Sequence, residues 1–295
     1  MTRAVSTVPH LESRIEEIAQ EIGGDGFAVS LFDYETGVEW SRQGDRWFHS
    51  ASTIKVAVLL ALFGAIDAGR FTLDSRLHVR NRFQSIVDGT VFRVSAARDA
   101  DRDVHAAIGK TMRLADLARH MIVTSSNLAT NLLVDLVGVE HAQQMLARHG
   151  VAGVDLARGV EDDKAFEASF NNRVTANGLV TLFRVLHEGR GLLPESAREI
   201  LQILFQQEFR AGIPAGLPSD VRTQTRIANK TGEISTAAHD AGLVFLPDRQ
   251  PYVLAVLTEP GPGTDNRMER LARVSTIVYD WLMSPDLSGS PEAAS

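Results

Sequence analysis

The chain of 295 residues has no cysteine. That excludes disulfides, thiolate metal sites and a cysteine nucleophile. Lysine is scarce, occurring only at Lys55, Lys110, Lys164 and Lys230, and arginine carries the rest of the positive charge. The formal net charge is −7, and no basic stripe is interleaved with aromatics, so no nucleic-acid partner is expected. Arg80, Arg82, Arg93, Arg98 and Arg102 lie among acids and apolar residues and read as a solvated face. The longest apolar run, Val56 to Ala65, is far short of a membrane span and reads as a buried helix, so no membrane partner is expected. Met1 to Gln20 lacks an apolar segment of the length a secretory signal needs. The expectation is a cytoplasmic protein as written, or a periplasmic or secreted one if a leader has been removed. The nine histidines form no ligand-spaced cluster and no glycine-rich phosphate loop is present, so neither metal nor cofactor is expected.

What is present has a clear order. Leu11, Ile15, Ile18 and Ile22 are spaced for one helix face, stopped by Gly23-Gly24. Phe27 to Asp33 and Val38 to Arg42 read as a β-hairpin. Helices are predicted from Ser52 to Gly69, Leu114 to Met121, Leu128 to Val137, His141 to His149, Val174 to Gly189 and Pro194 to Phe209. Strand character returns at Thr225 to Thr231, Ala241 to Leu246 and Tyr252 to Glu259, followed by a helix from about Arg267 to Met283. The tail Ser284 to Ser295, rich in Ser, Pro, Gly and Ala, reads as disordered. The pattern predicts an α+β fold in which residues 1–50 and 210–295 share an antiparallel sheet flanked by terminal helices. Residues 51–209 would form an inserted all-helical domain. Candidate chemistry falls at the seam between the two, where sites usually form.

Three short motifs carry that chemistry, in the order of serine hydrolases that attack strained or activated amides. In Ser52-Thr53-Ile54-Lys55 the spacing puts an amine on the helix face of a hydroxyl. Ser52 then sits in a first helical turn that favours developing negative charge, and an adjacent base activates it. Lys55 can be that base if its pKa falls, through burial against Val56 to Leu62 and a second cation nearby. In Ser125-Ser126-Asn127, Ser125 can relay a proton to a leaving nitrogen and Asn127 can hold a substrate carbonyl, although simple capping of the next helix explains the same residues. Lys230-Thr231-Gly232 sits in a strand, where such a break marks close approach of a ligand. Lys230, with Thr231 and Gly232, would hold Ser125 and a substrate carboxylate. The main chain at Glu233 and at Ser52 would offer two N–H groups to an oxyanion.

With these residues the chain resembles the class A β-lactamase-like branch of the penicillin-recognising serine hydrolases. The likeness runs from about Glu12 to Met283. It includes Phe48-His49-Ser50-Ala51, Asn127 to Leu133 and His239-Asp240. The resemblance implies a β-lactamase/transpeptidase-like fold, with Ser52 the acylated nucleophile, Lys55 its base, Ser125 the proton shuttle, Asn127 an amide binder and Lys230 the electrostatic anchor. Three departures stand out. Ser126 replaces the usual aspartate of the second motif, at a position that mainly supports the loop. The water-activating glutamate is either Glu161, which has the better spacing to Thr175 but Ala165 in place of an asparagine, or Glu167, which keeps its asparagine at Asn171 but lies close to Thr175; Glu161 is preferred. Finally, His239 falls where relatives read a carboxylate with arginine, and is expected to partner Asp240.

The leading reading is a monomeric serine hydrolase opening a cyclic amide, a β-lactam, through an acyl-serine intermediate. One alternative is an esterase, amidase or peptidase on the same scaffold. Another is a penicillin-binding module that acylates without turnover.

Overall fold

Along one strand of the main sheet, Val253, Ala255 and Leu257 join one hydrophobic core, while Leu254 and Val256 between them join a second. The two-residue period of a strand thus divides its apolar side chains between two covered faces. The structure is a computed structural model that describes residues 4–22, 26–259 and 266–284. Its main sheet has β1 (Phe27–Asp33), β2 (Glu39–Arg42), β3 (Arg226–Ile234), β4 (Ala237–Phe245) and β5 (Tyr252–Thr258), in the order β3-β4-β5-β1-β2 with every pair antiparallel. The two ends of the chain meet where Ser30 lies opposite Ala255.

Among the described residues the helices of five residues or more are α1 (Ala4–Ile22), α2 (Lys55–Asp67), α3 (Leu114–Val123), α4 (Asn127–Val137), α5 (Val139–Arg148), α6 (Asp163–Glu167), α7 (Ala176–Glu188), α8 (Pro194–Phe205) and α9 (Arg267–Leu282). Leu11, Ile15 and Ile18 of α1 pack with Leu271, Val274 and Val278 of α9 on one face of the sheet. On the other face the sheet shares a core with the middle helices. Leu179, Leu182 and Phe183 of α7 belong to the same cluster as Ala28 and Ala255. Helix α2 is buried on all sides from Lys55 to Phe63, as an all-round apolar helix must be. No helix among the described residues is long and apolar enough to cross a membrane.

The middle of the chain is not all helical. Arg76–His78 pairs with Thr111–Arg113 and Phe83–Gln84 with Val91–Phe92, and Phe48–His49, Arg173–Val174 and Val154–Asp155 form a three-stranded sheet. Strands this short carry no alternation for a sequence pattern to display. Strand β4 begins at Ala237, earlier than its apolar run suggests, because His239 and Asp240 are themselves buried in it. The Gly23-Gly24 stop and the tail beyond Ser284 lie outside the described residues.

Candidate active site

Ser52 lies in a 3₁₀ turn, Ala51–Ile54, ahead of α2 rather than in the first turn of an α-helix. In a 3₁₀ turn residues three apart eclipse one another, which still stacks Ser52 and Lys55. Ala51 enters the turn at φ 45°, a left-handed conformation, and its N–H donates to His49 Nδ1 at 3.0 Å. Burial, with the Arg158 charge adding, pushes His49 down to about 4, so its ring is neutral near pH 7 and can accept. Strand β3 passes directly against this turn. A Cβ on Gly232 would stand 2.9 Å from Ser52 N and 3.0 Å from the Ala51 Cβ, so only glycine lets the strand come this close.

Lys55 is fully buried, and its ammonium donates to Ser125 O at 2.7 Å, Ser125 Oγ at 3.1 Å and Asn127 Oδ1 at 2.8 Å. Those bonds use all of an ammonium's donors. Burial lowers its pKa to about 7, against the raising charges of Asp99 and Glu161. Ser125 is held at φ 59°, and the next residue, Ser126, caps α4 by accepting from Ala129 N at 3.2 Å. The second motif therefore both caps a helix and meets the lysine.

Lys230 is also fully buried and donates to Thr231 O at 2.9 Å. Burial holds its pKa well below the lysine range, with the Lys55 charge adding and Asp240 opposing. The expected second cation is thus present, but its effect is felt on Lys230. The Ser125 hydroxyl, expected beside Lys230, is bonded to Lys55.

The loop from Arg158 to Asn172 brings one glutamate into the site. Glu161, at φ 58°, accepts from Asn127 Nδ2 at 2.7 Å through Oε1 and from Ser95 N at 2.9 Å through Oε2, with Arg98 Nη2 3.3 Å away. The Asn127 amide therefore bridges Lys55 to Glu161. Asn131 staples the loop through Val160 N at 2.6 Å and Val160 O at 2.9 Å, and Asn172 Oδ1 accepts from Ala157 N at 2.8 Å and Arg158 N at 3.0 Å. Glu167 stands exposed at the end of α6, outside the cavity. Asn171, whose spacing recommended Glu167, accepts instead from Arg158 Nη2 at 3.0 Å.

His239, expected among the substrate-binding residues, does not line the cavity beside Ser52. Its Nδ1 accepts from Thr258 N at 3.1 Å, so Nε2 bears the proton and donates to His49 O at 2.8 Å. The ring is fully buried in a strand covered on both faces, and burial pushes its pKa down to about 4. Nor does it partner Asp240, which accepts from Asn229 Nδ2 at 2.9 Å and Ile213 N at 2.8 Å.

Ser52, Asn127 and Glu161 line a cavity of about 380 Å³ together with Arg98, Phe166 and Glu233 among others. The volume suits a small organic ligand. Arg98, read from sequence as solvated surface, lines it and pairs with both Glu161 and Asp163. Sequence reasoning also missed Asp99, which accepts from Asn127 N at 3.0 Å and Leu128 N at 2.9 Å. It lies in a stretch of mixed Arg and Asp, and nothing local marks it.

With this geometry in hand, residues 10–282 match the model of the beta-lactamase enzyme family. The chain belongs to that family. It is a β-lactamase-like serine hydrolase with the family's α+β fold. A beta-lactamase of Bacteroides uniformis is 26% identical over 283 residues, covering 92% of this chain and 90% of the relative. Beta-lactamase AER-1 of Aeromonas hydrophila is 23% identical over 257 residues, covering 85% and 79%. Among solved structures, a mutant of PBP-A as an acyl-enzyme complex with penicillin G is 27% identical with a TM-score of 0.76, covering 92% of this chain and 96% of that one. An ancestral class A beta-lactamase is 25% identical with a TM-score of 0.77, covering 92% and 99%.

Proposed function

We propose that the protein opens β-lactam amides through an acyl-Ser52 intermediate. One observation carries the reading: the buried Lys55 amine, three residues after Ser52, is bonded at once to Ser125 Oγ and to Asn127 Oδ1, and Asn127 lines the same cavity as Ser52. A pKa of about 7 leaves Lys55 partly neutral near neutral pH. The neutral amine takes the Ser52 proton as Oγ attacks the lactam carbonyl. The N–H groups of Ser52 and Glu233 receive the oxyanion. The ring C–N bond breaks, Ser125 Oγ gives its proton to the leaving nitrogen, and the Lys55 ammonium restores it. Glu161 then takes a proton from the water that cleaves the acyl ester, and that proton passes to the leaving Ser52 Oγ as the acid product forms. Lys230, Thr231 and Gly232 hold the substrate edge along β3. The PBP-A acyl-enzyme with penicillin G supports the same covalent step.

One feature favours a slower second stage. The Glu161 carboxylate is already shared by Asn127, Ser95 and Arg98, which compete with a water for its oxygens, and Ala165 is buried where an asparagine would help to hold the water. Acylation followed by slow hydrolysis is the second reading. Ser52→Ala is expected to abolish adduct formation with a chromogenic cephalosporin, and Lys55→Ala to slow it by about 10²- to 10⁴-fold. Unchanged turnover in Ser52→Ala would remove the proposal.

A further inference from the structure

The joint between α3 and α4 is clamped by two carboxylates from the segment before α3. Asp101 accepts from His120 Nδ1 at 2.6 Å and from the Thr124 hydroxyl, and so ties down the end of α3. Asp99 ties down the start of α4. Its side chain is fully buried and accepts from Asn127 N at 3.0 Å, Leu128 N at 2.9 Å and His105 Nε2 at 3.1 Å, with Ser126 Oγ 3.4 Å away. Between the two clamps sits Ser125, held in the left-handed region and carrying the hydroxyl that meets Lys55. The usual second motif has an aspartate where this chain has Ser126, and the Ser126 hydroxyl is spent capping α4. A carboxylate is nonetheless present at that helix N-terminus, where the helix dipole favours it. It arrives from 27 residues upstream in sequence.

We propose that Asp99, held by His105, supplies the carboxylate missing at Ser126 and acts as a positioning residue that fixes Ser125 and Asn127 against Lys55. The inference rests on the proposed function for its kinetic consequence, but not for its electrostatic one. The charged groups facing Lys55 are Asp99 from the segment before α3, Glu161 from the 158–172 loop and Lys230 from β3. Around Asp99 itself stand His105, and beyond it the Asp101–His120 pair. Asp99 is one of two charges that oppose the effect of burial on Lys55, so its removal is expected to lower the pH at which the amine loses its proton.

The test is Asp99→Asn, which keeps an acceptor and deletes the charge. Lys55 is followed in the substrate-free protein by ¹³Cε NMR, where only four lysines contribute signals. Its titration midpoint is expected to fall by roughly one pH unit, a typical effect of losing a near opposite charge. The acid limb of acylation should move to lower pH by the same amount. The acylation rate should drop about 10²-fold from loss of alignment. Adding Ser126→Asp to Asp99→Asn returns a carboxylate to the α4 N-terminus and should restore both midpoint and rate. This double variant also serves if the single one does not fold. An unchanged Lys55 midpoint in Asp99→Asn would overturn the proposal, as would a double variant that fails to fold or to restore the midpoint. A wild-type protein that forms no adduct with β-lactams would remove the proposed function alone, because the Lys55 midpoint needs no substrate.

Discussion

At the scale of single residues the account turns on Lys55. Its pKa is lowered, so the active neutral form is present above about 7 and is lost below it. The rate of Ser52 acylation is therefore expected to rise with pH through a single ionisation near 7, read by stopped flow. A limb at the ordinary carboxylate range, near pH 4, would assign the base to a carboxylate instead. Glu161→Gln should acylate and then stall, so that the adduct accumulates, while Glu167→Gln should leave adduct lifetime unchanged, both followed by mass. Much of this site was legible in the sequence because its motifs are local. Ser52 and Lys55 lie one turn apart, and Lys230 to Gly232 are consecutive. What escaped was carried by contacts across long sequence separations. The Asp99 bonds to Asn127 and Leu128, the Arg98 pair with Glu161, and the His239 bond to His49 have no short-range signature. The expected His239–Asp240 pair fails for a related reason, since spacing gives a residue's register but not which of its two ring nitrogens the backbone will claim.

Among the elements, the decisive contact is β3 against the 3₁₀ turn. Gly232→Ala would place a methyl within 2.9 Å of Ser52 N and drive strand and turn apart. Thermal unfolding should show a loss of about 1–3 kcal/mol, the usual cost of overpacking. Acylation should suffer more than stability does, since the displaced N–H is a proposed oxyanion donor. A variant acylating at the wild-type rate would contradict this use of the strand. The helices and long strands were visible as periodicity. The 3₁₀ turn, the two-residue strands and the early start of β4 were not, because each depends on tertiary partners rather than on local pattern.

The whole molecule ties its first and last segments into one sheet and buries α2 among the other helices. Leu60, fully buried in α2, is distant in role from the chemistry. Leu60→Ala should lower stability by about 2–5 kcal/mol through the cavity it leaves. In urea this appears as a lower midpoint at unchanged slope. The central claim is that this architecture brings Ser52, Lys55, Ser125 and Glu161 together for acylation and release. The most direct measurement is the intact mass of the protein over time after adding a chromogenic cephalosporin, in parallel with Ser52→Ala. The account expects an adduct on Ser52 that forms and clears as product accumulates, and none on the variant. Product release without any adduct, or an adduct that persists on Ser52→Ala, would contradict it.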